Sequence, residues 1–588
     1  MAPQLLVQAA RCCRARAGQG AWQGPGPGLL SFRPVHTTAA RASSKAEPPS
    51  KKFSATLFLP RTSFPGRLAG ERRRARDERL TRAMAGQYAW QRDHRPACPE
   101  FVLHDGPPYA NGAPHLGHAV NKLLKDVTVR FQCGRGRRVH YRPGWDCHGL
   151  PIELKAIRGG ADAKLGASKT RQLAASFARE TVGRQSEEFQ SWGVMGDWGN
   201  PYTTMAPHYV KRQIEMFWQL YRHGWLLRAR LPVWWSPSSG TALAEAELEY
   251  KDTAATALYV RLQLVGRGQG SLASVPDDKP VYCLIWTTTP WSLVANRAVC
   301  YSPSLEYSLV ESGGSLYILA TACLSLPGVI AALPDMSVVT SLAPADLAGC
   351  TYHRPLHQAD LAPLLPGHHV TGGAGTGLVH TAPAHGQDDH RVGLAAGLEC
   401  GDCLVGGDGC FTAEAGPELV GLQALGPGGE RVQAMLGQDL VLAEQIIHSY
   451  PHDWRTGGPV LLLASKQWFL NTERVRGAAL AGLDEVEIQP SSAARGFRAV
   501  VERRPYWCVS RQRVWGVPIP VMFRTDSGEP VLSQELISRY SDLVDQHGPG
   551  FWWELSLDEI LAGTSYQPEQ HHREGLDIMD IWLDSGLS

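Results

Sequence analysis

"DGPPYANGAPHLGHAVNKLLKD", residues 105–126, decides how the chain is read. Prolines 107 and 108, Gly106, Gly112 and Gly117, Asn111, and the pair His115/His118 directly precede a helical pattern. Such a loop is poor core material and good material for holding a small anion. Unpaired backbone N–H groups at a helix start attract phosphate. Histidines three apart share a helix face and can both donate to phosphate oxygens. Gly117 between them keeps the approach clear of a side chain, and Asn111-Gly112 permits a tight turn. The stretch reads as a cradle for a nucleoside triphosphate of a kind other than the Walker loop, since GxxxxGK[ST] is missing. Two other readings of the histidines stay open: metal ligation, for which the HExxH pattern is missing, and ordinary surface residues.

Outward from the loop, "EFVLHDG" reads as a buried strand. The following helix repeats Leu116, Ala119/Val120, Leu123/Leu124, Val127 and Phe131 at helical spacing. Strand, Gly/Pro loop and amphipathic helix make half of a parallel α/β unit. Helical patterns run to about Arg230. From there to about 450 the chain changes to short Val/Thr-rich runs with frequent turns, which predict a β-rich insert. Arginine- and aromatic-rich strands then return. The expected fold class is α/β with a large inserted β-rich domain. Its expected parts are an arm and charged helix at 51–95, an α/β part at 96–230, the insert at 231–450 and a return of the α/β part at 451–588.

The 588 residues carry a formal charge of +2 and 13 cysteines. So small a net charge says nothing of partners, and the cysteines are too sparse for a disulfide framework, suggesting a reducing compartment. No run approaches membrane-spanning length. Residues 1–50 contain no acid before Glu47 but Arg11, Arg14, Arg16, Arg33 and Arg41, the composition of an organelle transit peptide; an unstructured tail without an address is the alternative.

"HDGPPYANGAPHLGH" resembles the signature of class I aminoacyl-tRNA synthetases, in the isoleucyl form. "PGWDCHGLPIE" (143–153), "ALAEAELEY" (242–250), "WTTTPWSLVANRAV" (286–299), "GTGLVHTAPAHGQDD" (375–389), "SKQWF" (465–469) and "YWCVSRQRVWGVPIP" (506–520) follow in that family's order. With the leader, the resemblance is to mitochondrial members. It implies that the two α/β parts are the first half and the start of the second half of a Rossmann-like nucleotide-binding catalytic domain. It also implies ATP-dependent activation of isoleucine and transfer to tRNA(Ile), with ATP and Mg2+ as the required small molecules, the mitochondrial matrix as location and a monomeric state. By the same resemblance His115 and His118 bind the ATP phosphates, Asn111 and Gly117 shape that site, Asp146 holds the substrate ammonium, and Pro107 and Trp515 line the side-chain pocket. Asp146 also reads as a capping residue in a Gly-rich turn, and Trp515 as a core tryptophan. An apolar pocket gains only about 1–3 kcal/mol from one methylene, a limit for which isoleucine against valine is itself the standard example. The insert is therefore expected to hydrolyse misacylated valine. The resemblance puts Thr287, Thr288, Thr289 and His380 at that site to position ester and water, with Asp389 on the amino group. A plain β-strand is the other reading of "WTTTPW", and three consecutive threonines cannot all face one site.

The sequence departs from the pattern in places. Ser236 and Ser239 stand where a thiolate pair is frequent, so no zinc is expected there; Cys400 and Cys403 form a lone CxxC, too few ligands for a structural site. Ser292 and Gly66 replace Thr and Met. Lys466 is the last lysine, so the family's KMSKS loop is not among these residues. This predicts a truncated form with slow aminoacylation, for which an editing-only hydrolase or a non-catalytic tRNA-binding fragment is the alternative. The basic run "RFQCGRGRRVHYR" (130–142) is a candidate tRNA-backbone contact or a solvated loop.

Overall fold

The computed structural model describes residues 56, 58, 68–157, 165–268, 270–276, 279–401, 403–503, 506–573 and 577–588. The transit peptide and most of the arm, with Gly66, lie outside the described residues. The chain divides into two compact units, Met1–Arg72 and Arg73–Ser588; the second carries everything below.

Strand Glu100–Leu103 pairs in parallel with Arg138–Tyr141, from Glu100↔Arg138 to Leu103↔Tyr141. The connection is the helix Leu116–Gly134. Parallel neighbours require such a crossover, so this is the α/β unit expected. Its burial is not what was expected. Leu116, Val120, Leu123, Leu124, Val127 and Phe131 are 44–79% exposed, and Val102 of the supposedly buried strand is 61% exposed. The helix buries Lys122, Val129 and Cys133 instead. The reason is electrostatic. Asp105, fully buried, takes Lys122 Nζ at 2.5 Å and Lys125 Nζ as well, which turns the lysine face inward and leaves the apolar stripe uncovered by the described residues.

Helices Ala167–Ser191 and Pro207–Arg222 follow. Strand Leu226–Ser236 then pairs antiparallel with Leu461–Leu470, from Leu226↔Leu470 to Trp235↔Leu461. The boundary expected at 230/231 falls inside this strand; the change of texture there marks one continuous stem rather than a linker. A second antiparallel ladder joins Leu248–Arg267 to Leu440–Asp453. Beyond it lies the insert, a sheet ordered Ser337–Leu342, Tyr307–Ser312, Ser315–Ala320, Val281–Thr287, Leu248–Arg267, Cys350–Arg354, His357–Pro366, Ala298–Tyr301, Leu378–Thr381. Its core is built on Leu258, Cys283, Ile285, Leu309, Ile318, Leu347 and Tyr352. After the stem, Ser510–Arg511 pairs with Ile578–Met579, and the last helix, Ile581–Gly586, starts on the Asp580 cap. No described helix is long and apolar enough to cross a membrane.

Candidate functional site

At the start of the Leu116–Gly134 helix the two histidines fix each other. His115 Nδ1 accepts from Gly117 N–H at 3.1 Å, and His118 Nδ1 accepts from His115 N–H at 3.2 Å. Their rings lie 4.0 Å apart. A Cβ on Gly117 would sit 2.9 Å from the His115 ring, so only glycine permits this packing. With both Nδ1 atoms accepting, each neutral ring carries its proton on Nε2, the atom left to donate to a ligand. Burial, and then the neighbouring His115, lowers the His118 pKa, which keeps that tautomer neutral. Lys155 Nζ donates to the Asn111 carbonyl. Gln185 Nε2 donates to Tyr109 O and Gly112 O, and Trp145 Nε1 to Gln185. The 109–112 loop is thereby tied to the segment containing Asp146.

Beside it opens a cavity of about 220 Å³. Pro107 and Tyr109 come from the first loop; Asp146, Gly149 and Leu150 from the second; Thr241, Leu243 and Glu247 from the stem; Trp454 and Arg455 from the turn after strand Leu440–Asp453; Arg511, Arg513 and residues 578–582 with Ser585 complete the lining. Asp146 is held by exchange of backbone bonds, its N–H to Pro108 O and its carbonyl from Ala110 N–H. Its Oδ2 accepts from Ser585 at 2.5 Å, while Oδ1 is buried without a partner. Burial pushes the Asp146 carboxyl up to about 7; the Ser585 bond opposes this and nearby Asp584 adds to it. Next to it, buried His148 meets buried Asp584 at 2.7 Å. These two contacts latch the final helix over the second loop.

The structure thus brings Pro107 and Asp146 into one cavity. His115, His118, Asn111 and Gly117 share Pro107's loop but do not line that cavity. Trp515 does not line it either: buried, it donates Nε1 to Cys147 O at 2.8 Å and packs edge-on against His148, behind the wall. Residues missed by sequence reasoning are Glu247, Trp454, Arg455, Arg511, Asp580 and Trp582. They come from segments far apart in sequence, and no local spacing marks them. Arg511, buried, pairs with Asp580 at 2.8 Å and Glu247 at 3.3 Å.

In the insert, Thr287, Thr289, Ser292 and His380 form one chain: Thr287 Oγ1 to Thr289 Oγ1 at 3.3 Å, Thr289 to Ser292 at 3.2 Å, Ser292 Oγ to His380 Nε2 at 3.1 Å. Thr288 is not part of it: the strand ends at Thr287, and the bend that follows brings Thr289 back to Thr287, its N–H donating to Thr287 Oγ1 at 3.1 Å. His380 Nδ1 meets Asn296 at 2.9 Å, so both ring nitrogens are engaged. Burial, helped by His385, lowers its pKa to about 3. The ring therefore ties the threonine turn in place. Asp389 Oδ2 accepts Ala382 N–H at 2.8 Å, two residues past His380; burial raises its carboxyl to about 7 against that bond.

Ser236 and Ser239 both donate to Asp453 Oδ2, at 2.7 and 2.5 Å, and Ser238 meets Thr456 at 2.6 Å. Asp453 Oδ1 accepts Arg455 N–H at 2.8 Å. This hydrogen-bonded knot ties the turn carrying Trp454 and Arg455 to the stem. Asp453 is buried and its pKa lowered, burial opposing but Ser239, the Arg455 N–H and Ser236 prevailing. Asp453→Ala is expected to cost about 3 kcal/mol, since it strands several buried donors; denaturant unfolding of both proteins checks this. The depressed pKa makes the contribution present above the free-chain value, about 3.9, and lost as pH falls through the folded one.

No group of three His, Cys, Asp or Glu side chains converges to hold a metal among the described residues, Cys400 and Cys403 included. Of the basic run, Arg130 is spent on Asp126 and Gly193 O, and Arg142 on Asn200 O.

A family model described as tRNA synthetases class I (I, L, M and V) matches residues 83–588. The chain is 44% identical over 569 residues to the mitochondrial isoleucine–tRNA ligase of Mus musculus, covering 94% of this chain and 56% of that protein. It is 43% identical over 553 residues to the mitochondrial enzyme of Gallus gallus, covering 91% and 55%. Against the isoleucine–tRNA ligase of Cyanothece sp. the identity is 42% over 545 residues, covering 91% and 56%. The chain spans about half the length of the curated relatives it matches.

Proposed function

Since the chain belongs to the class I tRNA synthetases, the family of the isoleucine, leucine, methionine and valine enzymes, we propose that it is the isoleucine-activating and editing part of a mitochondrial isoleucine–tRNA ligase. The observation that carries this is the buried, unpartnered Asp146 Oδ1 in a cavity bordered by Pro107, on the loop that leads to His115 and His118. An α-ammonium supplies the counter-charge that carboxylate lacks.

In this reading the isoleucine carboxylate attacks the α-phosphorus of ATP and pyrophosphate departs; the acyl group then passes to the terminal ribose of tRNA(Ile). The protein positions reactants and stabilises charge. The Nε2–H groups of His115 and His118, aided by the helix N-terminus and Lys155, take the phosphates. Mg2+ would arrive on the nucleotide's own phosphates rather than in a protein cage, and no residue role here depends on it. Asp146 holds the ammonium; Trp515 acts by fixing Cys147 and His148. Thr287, Thr289 and Ser292, braced by His380, serve hydrolysis of the valyl ester, with Asp389 as candidate for its amino group. The mitochondrial matrix is the proposed location, supported by the acid-free leader, and the monomer the proposed state.

Titration calorimetry tests the reading. Isoleucine is expected to bind saturably and more tightly than valine, and His118→Ala to weaken ATP about tenfold or more while leaving isoleucine unchanged. The same chain should deacylate valyl-tRNA above the buffer rate. An absence of saturable isoleucine binding would overturn the activation half, and no deacylation by the folded chain the editing half.

A further inference from the structure

Four buried polar atoms on residues lining one cavity have no hydrogen-bond partner: Asp146 Oδ1 and the Nε atoms of Arg455, Arg511 and Arg513. The three cavity arginines are not equivalent. Arg511 is neutralised by Asp580 and Glu247, and Arg513 pairs with Glu153 at 3.7 Å. Arg455 alone of the three makes no direct ion pair among the described residues, the Glu247 and Asp453 carboxylates acting on it only at longer range. Its guanidinium stacks on Trp454, 3.4 Å from the ring centroid, which orients the plane without satisfying its donors. Its backbone is fixed twice, by Asp453 Oδ1 on its own N–H and by Glu247 O on that of Trp454. A cation so placed, partly desolvated and unpaired, is costly to keep unless something anionic joins it.

We infer that Arg455 is the carboxylate-binding pole of the amino-acid site, so that the cavity recognises a zwitterion: ammonium on Asp146, carboxylate on Arg455. The inference rests on the amino-acid reading above and deepens it. Tyr109 borders the cavity with both groups and lies within electrostatic reach of each, which places the two poles around one side chain. Guanidinium N–H groups match carboxylate oxygens in plane and charge. A bond to one oxygen leaves the other free as nucleophile. The residue belongs to the turn that returns from the insert, so that turn, held by the Ser236–Ser239–Asp453 knot, forms part of the activation cavity's wall.

The test compares isoleucine with isoleucinol, which keeps the amine and side chain but has no carboxylate, in calorimetric titrations of the full 588-residue chain. Wild type should prefer isoleucine. Arg455→Gln should weaken isoleucine about tenfold or more and change isoleucinol less than about twofold, with Arg455→Lys restoring part of the loss. Unchanged isoleucinol binding also certifies the fold of the variant. Equal weakening of both ligands, no change for isoleucine, or a loss confined to ATP would each overturn the assignment; the last would give the guanidinium to a phosphate. Should wild type bind neither ligand, with Asp146→Asn no different, the amino-acid reading itself fails.

Discussion

Asp146→Asn is expected to weaken isoleucine binding about 30-fold or more, because an ammonium buried against a neutral amide forfeits a desolvated charge pair. ATP binding should be unaffected. The same substitution is expected to stabilise the empty protein. The folded carboxyl titrates near 7, chiefly from burial, whereas the free chain titrates near about 3.9. Between those values the folded state holds a proton that the unfolded state has lost, so stability falls as pH rises from about 4 to 7 and levels off above. An ionised Asp146 thus costs the ligand-free fold on the order of 4 kcal/mol at pH 8, and asparagine removes most of that. Two measurements decide. Denaturant unfolding at pH 5 and pH 8 should show a falling stability for wild type that is shallower for the variant. Isoleucine affinity of wild type should drop as pH falls below 7. A variant that binds isoleucine normally would remove Asp146 from the site.

Asp105→Asn is expected to be the most damaging single change to the nucleotide half. The carboxylate is fully buried and serves Lys122, itself 1% exposed, along with Lys125 and the Gly144 N–H at 3.2 Å. Lys122 keeps a hydrogen bond to Tyr141 at 3.2 Å and stacks 5.3 Å from Phe189, neither of which neutralises it. Removing one partner of a buried pair costs about 3–5 kcal/mol, whereas replacing both by apolar groups is often neutral. The double variant Asp105→Asn/Lys122→Met should therefore recover most of the loss in denaturant titrations. A single variant losing less than about 1 kcal/mol, or a double variant no better, would mean that the pair does not hold the helix. Because this helix carries His115 and His118 at its start, ATP affinity should track the stability series.

These expectations divide along a line the chain itself draws. The parallel α/β unit and the β-rich insert were readable locally. Each depends on residues within one turn or one strand, where spacing and backbone chemistry suffice. The facing of the Leu116–Gly134 helix was not readable. Periodicity identified an apolar stripe, but a buried Asp105 twenty residues from Lys125 turned the lysines inward, and a period cannot report which face a distant charge will claim. The hydrogen-bond partners of Trp515 and His380 were not readable for a related reason. Both have their polar atoms taken by neighbours, and hydrogen-bond satisfaction exists only once the fold has assembled. Arg455, Glu247 and the Asp580/Trp582 pair reach the cavity from three separated segments. By itself the sequence determined which chemistries are present and on which kinds of element. The tertiary structure alone decided which side chains are left unpaired in a common space, because desolvation and charge neutralisation are properties of the packed neighbourhood.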